Sequence, residues 1–172
     1  MEEDEELLLR AKAGDRRALE AFYQRHFQEA GRLSLLLSRN ATWAEEALQE
    51  AWTAVVSSLA AFDPAKGSAR SWFFGILRNK VRAQAKRELG RLDLGASPKA
   101  DPGAAALLRE EMEELLARLP EDQREAVVSR WILGWSYEAL GEVFGISSAA
   151  AKQRSHRGLL ALREALGLRG KI

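Results

Sequence analysis

The chain has no cysteine, which excludes disulfide frameworks, thiol nucleophiles and zinc fingers. Its two histidines, His26 and His156, are too far apart in sequence for metal-ligand spacing. No metal site and no cofactor are expected. No apolar run approaches the roughly 20 residues that cross a bilayer, so membrane insertion is not expected either. The start, MEEDEELLLR, is acidic where a secretory signal is basic, and a cytoplasmic location is expected. There is no Ser-His-Asp order, no phosphate loop and no metal cluster, so the chain itself is expected not to be an enzyme. Strand-like alternation of apolar and polar residues is missing as well.

Helical periodicity is present almost everywhere, and it predicts an all-α fold. A short first helix is expected over 4–12, ending near Gly14. The next, about 16–38, carries Leu19, Phe22, Tyr23, Phe27, Leu33, Leu36 and Leu37 on one broad stripe. Thr42 followed by Glu45 reads as a capping box that opens a helix to about Ala60. Pro64 and Gly67 break the chain, and a long helix follows to about Glu88, apolar early and basic late. Residues 89–104, LGRLDLGASPKADPGA, change composition and read as a linker. Fully extended, it spans at most about 55 Å, against roughly 35 Å for a turn of duplex DNA. Helices are expected again at about 105–117, 121–133, 137–144 and 148–166. The chain therefore divides into a domain at 1–88, a linker at 89–104 and a domain at 105–172.

The formal net charge of +1 conceals segregation. Residues 1–50 hold 11 Asp and Glu. Between 69 and 88 lie Arg70, Arg78, Lys80, Arg82, Lys86 and Arg87 against Glu88 alone, and between 145 and 172 lie Lys152, Arg154, Arg157, Arg163, Arg169 and Lys171 against Glu164 alone. Two basic islands in an otherwise acidic chain suggest two polyanion contacts and an acidic surface for another partner. Solvated helix faces would give the same islands.

The second island sits in a specific pattern. In YEALGEVFGISSAAAKQR, Ala139, Leu140 and Val143 form the inner face of a short helix that Ser136 can cap. Gly145 supplies a left-handed ending, Ile146 plugs the corner and Ser147 caps the next helix. This is a helix-turn-helix pattern, although a plain antiparallel helix pair shares it. Ala151, Gly158, Leu159 and Leu162 fall inward on the second helix. Ser148 and Ala149 are small enough to let its start sit deep in a major groove. Lys152 and Gln153 lie where they reach base edges, and Arg154 and Arg157 where they hold phosphates; His156, on the same face, is either a base contact or simply solvated. In the first island, Trp72, Phe73 and Phe74 precede a basic tail, which suits stacking and charge for a single strand; most of these aromatics are expected in the core. The loop from Phe62 to Ser71 is the better place for an extruded base, since Gly67 and Ser68 leave room and backbone donors.

At these residues the sequence resembles a known family. WAEEALQEAWTAVVSSLAAFDPAKGSARSWFFGILRNKVRAQAKRE is similar to region 2 of the extracytoplasmic-function sigma factors, and LPEDQREAVVSRWILGWSYEALGEVFGISSAAAKQRSHRGLLALR to their region 4. The resemblance implies a factor that binds core RNA polymerase and directs it to promoters. It implies that Glu46, Gln49 and Glu50 dock on the polymerase clamp helices, with the polymerase flap as a further contact. Asp63, Lys66, Gly67, Ser68, Arg70, Ser71, Trp72, Arg78, Asn79 and Arg82 would hold the melted minus-ten strand. The helix-turn-helix, through Ser148, Ala149, Lys152, Gln153, Arg154, His156 and Arg157, would read the minus-thirty-five duplex. Promoter DNA, double- and single-stranded, and a possible anti-sigma factor are the implied partners. Ala69 stands where an aromatic is usual, Gln84 where an Asp is common, and Trp43 replaces an acid; Ser155 and Leu159 stand where Leu and a basic residue are usual. Two rival readings share parts of the pattern: a two-domain regulator acting without polymerase, and a helical interaction protein whose basic islands are merely solvated.

Overall fold

The structure is a computed structural model that describes residues 3–92 and 104–167, with side chains at 3–88 and 111–167. Every regular element among them is a helix, and the chain forms two compact units, the first of residues up to Arg87 together with Glu142–Phe144 and the second of the rest. Residues 93–103 of the expected linker lie outside the described residues, as do Arg169 and Lys171.

In the first unit, α1 (Asp4–Lys12) ends before Gly14, whose φ of 102° turns the chain. Asp15 caps α2 (Arg16–Ser38), accepting the Arg17 and Ala18 amides at 3.0 and 3.3 Å. A side-chain hydrogen bond from Arg10 holds the Asp15 carboxyl below its usual range, with help from the Ala18 amide. The helix stops at Arg39, in the left-handed region at φ 57°.

The expected Thr42–Glu45 capping box is not what opens α3 (Ala41–Ser58). Asn40 is the cap, its Oδ1 accepting the Trp43 amide at 3.1 Å. Thr42 then falls inside the first turn, because asparagine two residues earlier reaches the same orphan amides. Asn40→Ala should cost about 1 kcal/mol of stability, read as a lowered urea midpoint with unchanged slope.

A 3-10 turn (Leu59–Ala61) and an irregular loop lead to α4 (Ala69–Leu92). This helix overruns its expected end near Glu88, since Leu and Arg favour helix and the single Gly90 costs only about 1 kcal/mol. The core is aromatic. Phe22, Phe73 and Phe74 are fully buried, Trp52 stacks on Phe73 with centroids 4.3 Å apart, and Phe22 meets Phe73 edge-on at 5.8 Å. Of the expected α2 stripe, Phe22, Leu33 and Leu37 are buried, while Phe27 is 42% exposed.

The second unit holds α5 (Ala104–Ala117), α6 (Glu121–Val127) continued by a π-turn (Val128–Ile132), most of α7 (Tyr137–Phe144) and α8 (Ser148–Ala165). Helix α8 packs along α6 and against α5. Glycine makes the first of these contacts possible: a Cβ on Gly158 would lie 2.6 Å from Val127 Cγ2 and 3.2 Å from the Gln123 carbonyl oxygen.

Candidate nucleic-acid interface

The helix-turn-helix is assembled by local hydrogen bonds. Ser136 Oγ accepts the Ala139 amide at 3.1 Å and starts α7. Gly145, at φ 65°, takes the chain out of that helix. Ser147 Oγ accepts the Ala150 amide at 3.1 Å and starts α8. The Ile146 amide donates back to the Gly141 carbonyl at 2.9 Å. A Cβ on Gly141 would sit 2.7 Å from the Ile146 oxygen, so the tightness of the turn depends on a glycine the motif reading passed over.

Along α8, Ala151, Ser155, Gly158 and Leu162 are buried, whereas Ser148, Ala149, Lys152, Gln153, His156 and Arg157 are exposed. The exposed face is small at the helix start and basic or amide further on. Leu159, expected inward, is half-buried, and Ser155 takes an inward place instead. The Ser155 hydroxyl accepts the Trp131 indole N–H at 3.0 Å, so a polar residue is satisfied beneath the helix where leucine would make no such bond. Arg154 is half-buried, with Nε 3.5 Å from Asp122 Oδ2 on α6. It shares its charge with Asp122.

In the first unit the loop between Phe62 and Ala69 is shaped in part by its own groups. Asp63 Oδ1 accepts the Ala65 amide, and the Asp63 carbonyl accepts the Lys66 amide, both at 3.0 Å. Ser68 Oγ accepts the Ser71 amide at 3.1 Å and caps α4. Lys66 is exposed, while Asp63, Gly67, Ser68 and Ser71 are partly exposed. Trp72 is half-buried with its ring 5.3 Å from Phe62. Arg70 is tied to Glu29 of α2 at 2.6 Å and lies over the Phe74 ring at 4.8 Å. Further along α4, Asn79 is exposed and Arg78 and Arg82 are half-buried.

The α3 stripe is braced from α4. Glu46 and Gln49 are exposed and Glu50 is partly so. Gln84, only 2% exposed, donates to Glu46 and accepts from Arg87. Arg87 donates to Glu50 at 2.6 Å, with Lys80 3.6 Å from the same carboxylate. The Arg87 hydrogen bond holds the Glu50 carboxyl below its usual range, against a smaller opposing effect of burial. Because the folded pKa is depressed, this support is present above the ordinary glutamate value of 4.5 and is lost as pH falls below it. Arg70, Lys80 and Arg87 of the first basic island are thus engaged within the unit, which the charge count did not reveal. Among the described residues no cluster of three His, Asp or Glu suits a metal ion, and no helix is long and apolar enough to cross a membrane.

Residues 21–89 match the family described as sigma-70 region 2, and residues 109–162 that described as sigma-70, region 4. The RNA polymerase sigma factor CarQ of Myxococcus xanthus is 34% identical over 92% of this chain and 94% of its own length. The ECF RNA polymerase sigma factor SigM of Mycobacterium tuberculosis is 29% identical over 95% of this chain and 85% of its own. The solved structure of the sigma factor RpoE from Bartonella quintana, in complex with the anti-sigma factor NepR, superposes with a TM-score of 0.67 at 25% identity, covering 88% of this chain and 99% of that one. With both region matches in order and a 34% identical relative matched over nearly its whole length, the chain belongs to the sigma-70 family of RNA polymerase sigma factors, in its extracytoplasmic-function group.

Proposed function

We propose that this sigma factor works by gripping one promoter with two units at once, residues 1–88 as region 2 and 105–172 as region 4, while core RNA polymerase carries both. The observation that carries the reading is the outward face of α8: small Ser148 and Ala149 at its start, then Lys152, Gln153, His156 and Arg157, all exposed. A helix with that face enters a major groove N-terminus first, with long side chains at base edges and phosphates. Its duplex contacts set the register on the minus-thirty-five element.

The loop from Asp63 to Ser71 and the face of α4 with Trp72, Arg78, Asn79 and Arg82 then hold the opened minus-ten strand. Pulling a base from the stack costs a few kcal/mol. Stacking on protein recovers about 1–3 kcal/mol per base, and polymerase supplies the remainder. The α3 stripe of Glu46, Gln49 and Glu50 docks on the clamp helices, and the second unit meets the flap. The chain performs no chemistry of its own, and its place is the cytoplasm, where polymerase and promoters are. An anti-sigma factor is a further partner, as the NepR complex of the RpoE relative suggests.

Transcription from a start-site library by core polymerase, with and without this chain, tests the reading. Specific initiation only in its presence supports it; duplex binding with no effect on initiation would favour a regulator that acts alone. Within the same assay, Lys152→Ala should change the preferred upstream bases, with discrimination reduced by about 1–3 kcal/mol at one position. Arg157→Ala should weaken all promoters alike and lower the salt slope by about one. An unaltered base preference for Lys152→Ala in a randomised upstream element would refute the placement of α8.

A further inference from the structure

The loop proposed to capture the melted strand is anchored at both ends by a single element, α1. At the entry, Lys12 Nζ donates to the Phe62 carbonyl at 3.0 Å. At the exit, the Ala69 amide donates to Glu5 Oε1 at 2.8 Å. Phe62 and Ala69 are 1% and 0% exposed, whereas Pro64, Ala65 and Lys66 between them are exposed. Glu5 and Lys12 stand seven positions apart, two helical turns on one face, so their Cα atoms are separated by about 10 Å along the axis.

Helix α1 is itself held firmly. Leu7 and Leu8 are 2% and 0% exposed. Asp4 is paired with Arg25 and accepts from His26 Nε2 at 2.7 Å. The Glu5 carboxylate meets one of the orphan amides at the start of α4, where negative charge is favoured. Ser68 satisfies another amide of the same turn. This acidic segment precedes the residues matched to region 2, which begin at 21.

We infer that α1 is the brace that shapes the strand-capture loop, with Glu5 and Lys12 as positioning residues at its two ends. Fixing both ends before DNA arrives reduces the ordering entropy that strand capture would otherwise cost. Neither residue needs to touch DNA for this. The inference rests on the proposed role of the loop, but the brace is measurable apart from it.

The experiment uses the full chain with Glu5→Ala and Lys12→Met, singly and together, and Lys12→Arg as the conservative variant. Three affinities are measured at a temperature where each variant is folded: for core polymerase, for an upstream-element duplex by the holoenzyme, and for a single-stranded minus-ten oligonucleotide by the holoenzyme. In the double variant, single-strand affinity should fall about tenfold and base discrimination should flatten. Core and duplex affinities should hold, and Lys12→Arg should retain most of the strand affinity. Amide exchange over residues 63–69 of the free protein should quicken in the double variant. Unchanged strand affinity, or a parallel fall in all three affinities, overturns the positioning role. Unchanged exchange overturns the brace itself. If the unaltered chain shows no preference for the minus-ten strand while exchange still quickens, the brace stands and the proposed use of the loop falls.

Discussion

Gly158→Val parts α8 from α6 and destabilises the second unit by about 3 kcal/mol, at the upper end of what overpacking a tight core costs. The first added carbon already lies 2.6 Å from Val127 Cγ2 and 3.2 Å from the Gln123 carbonyl oxygen. Neither neighbour yields readily. Val127 is 3% exposed and β-branched, with little freedom at χ1. The Gln123 oxygen belongs to the backbone of α6, so moving it moves the helix. Replacing glycine inside a helix ordinarily gains up to about 1 kcal/mol from propensity, less for valine than for alanine, and the clash exceeds that gain. Hydrogen exchange should therefore accelerate in α6 and α8 and stay unchanged in α2 and α3, which serve as the internal control. Uniform exchange rates in both units, equal to those of the unaltered chain, would show that the helices separate without cost. Because the same contact holds the outward face of α8 in place, duplex binding at the upstream element should fall with stability.

What could be read from the sequence was what residues decide with their near neighbours. Ser136, Gly145 and Ser147 act within one turn of their own positions, and the structure finds them capping and turning as expected. The solvent face of α8 follows from a period of 3.6, since Ala151, Gly158 and Leu162 leave only one side for the long polar residues. Even locally the capping-box spacing of Thr42 and Glu45 misled, because Asn40, two residues earlier, takes the cap through the Trp43 amide. Contacts between helices were not legible. Arg70 with Glu29, Gln84 with Glu46 and Trp131 with Ser155 join residues 41, 38 and 24 positions apart, which no periodicity relates. The charge count consequently overstated the free surfaces. The acidic first half looked like a partner's docking face, yet Asp4, Glu5, Glu29 and Glu50 all hold groups of their own unit. Gln84, which looked like a simple departure from a family aspartate, is a buried amide linking Glu46 to Arg87.

That linkage makes Glu50 the most informative residue to reverse. Glu50→Arg should weaken binding to core polymerase about a hundredfold, the scale expected when like charges are forced together at an interface. Two causes would contribute. The new guanidinium would face whatever basic surface the acidic stripe meets, and it would lie beside Lys80 and Arg87, which now hold Glu50 at 3.6 and 2.6 Å. The partner arginine separates them. In Glu50→Arg combined with Arg87→Glu, the pair between α3 and α4 is restored with its signs exchanged, so most of the loss due to loosening of α4 should be recovered, less what the remaining Lys80 and the lost Arg87–Gln84 hydrogen bond cost. The unfavourable charge toward polymerase remains, since position 50 stays positive. Docking through Glu50 therefore predicts largely recovered stability for the exchanged pair and persistently poor core binding, measured by competition against the unaltered chain. Full recovery of core binding would mean that Glu50 acts only by holding α4, and would leave Glu46 and Gln49 to account for the polymerase contact.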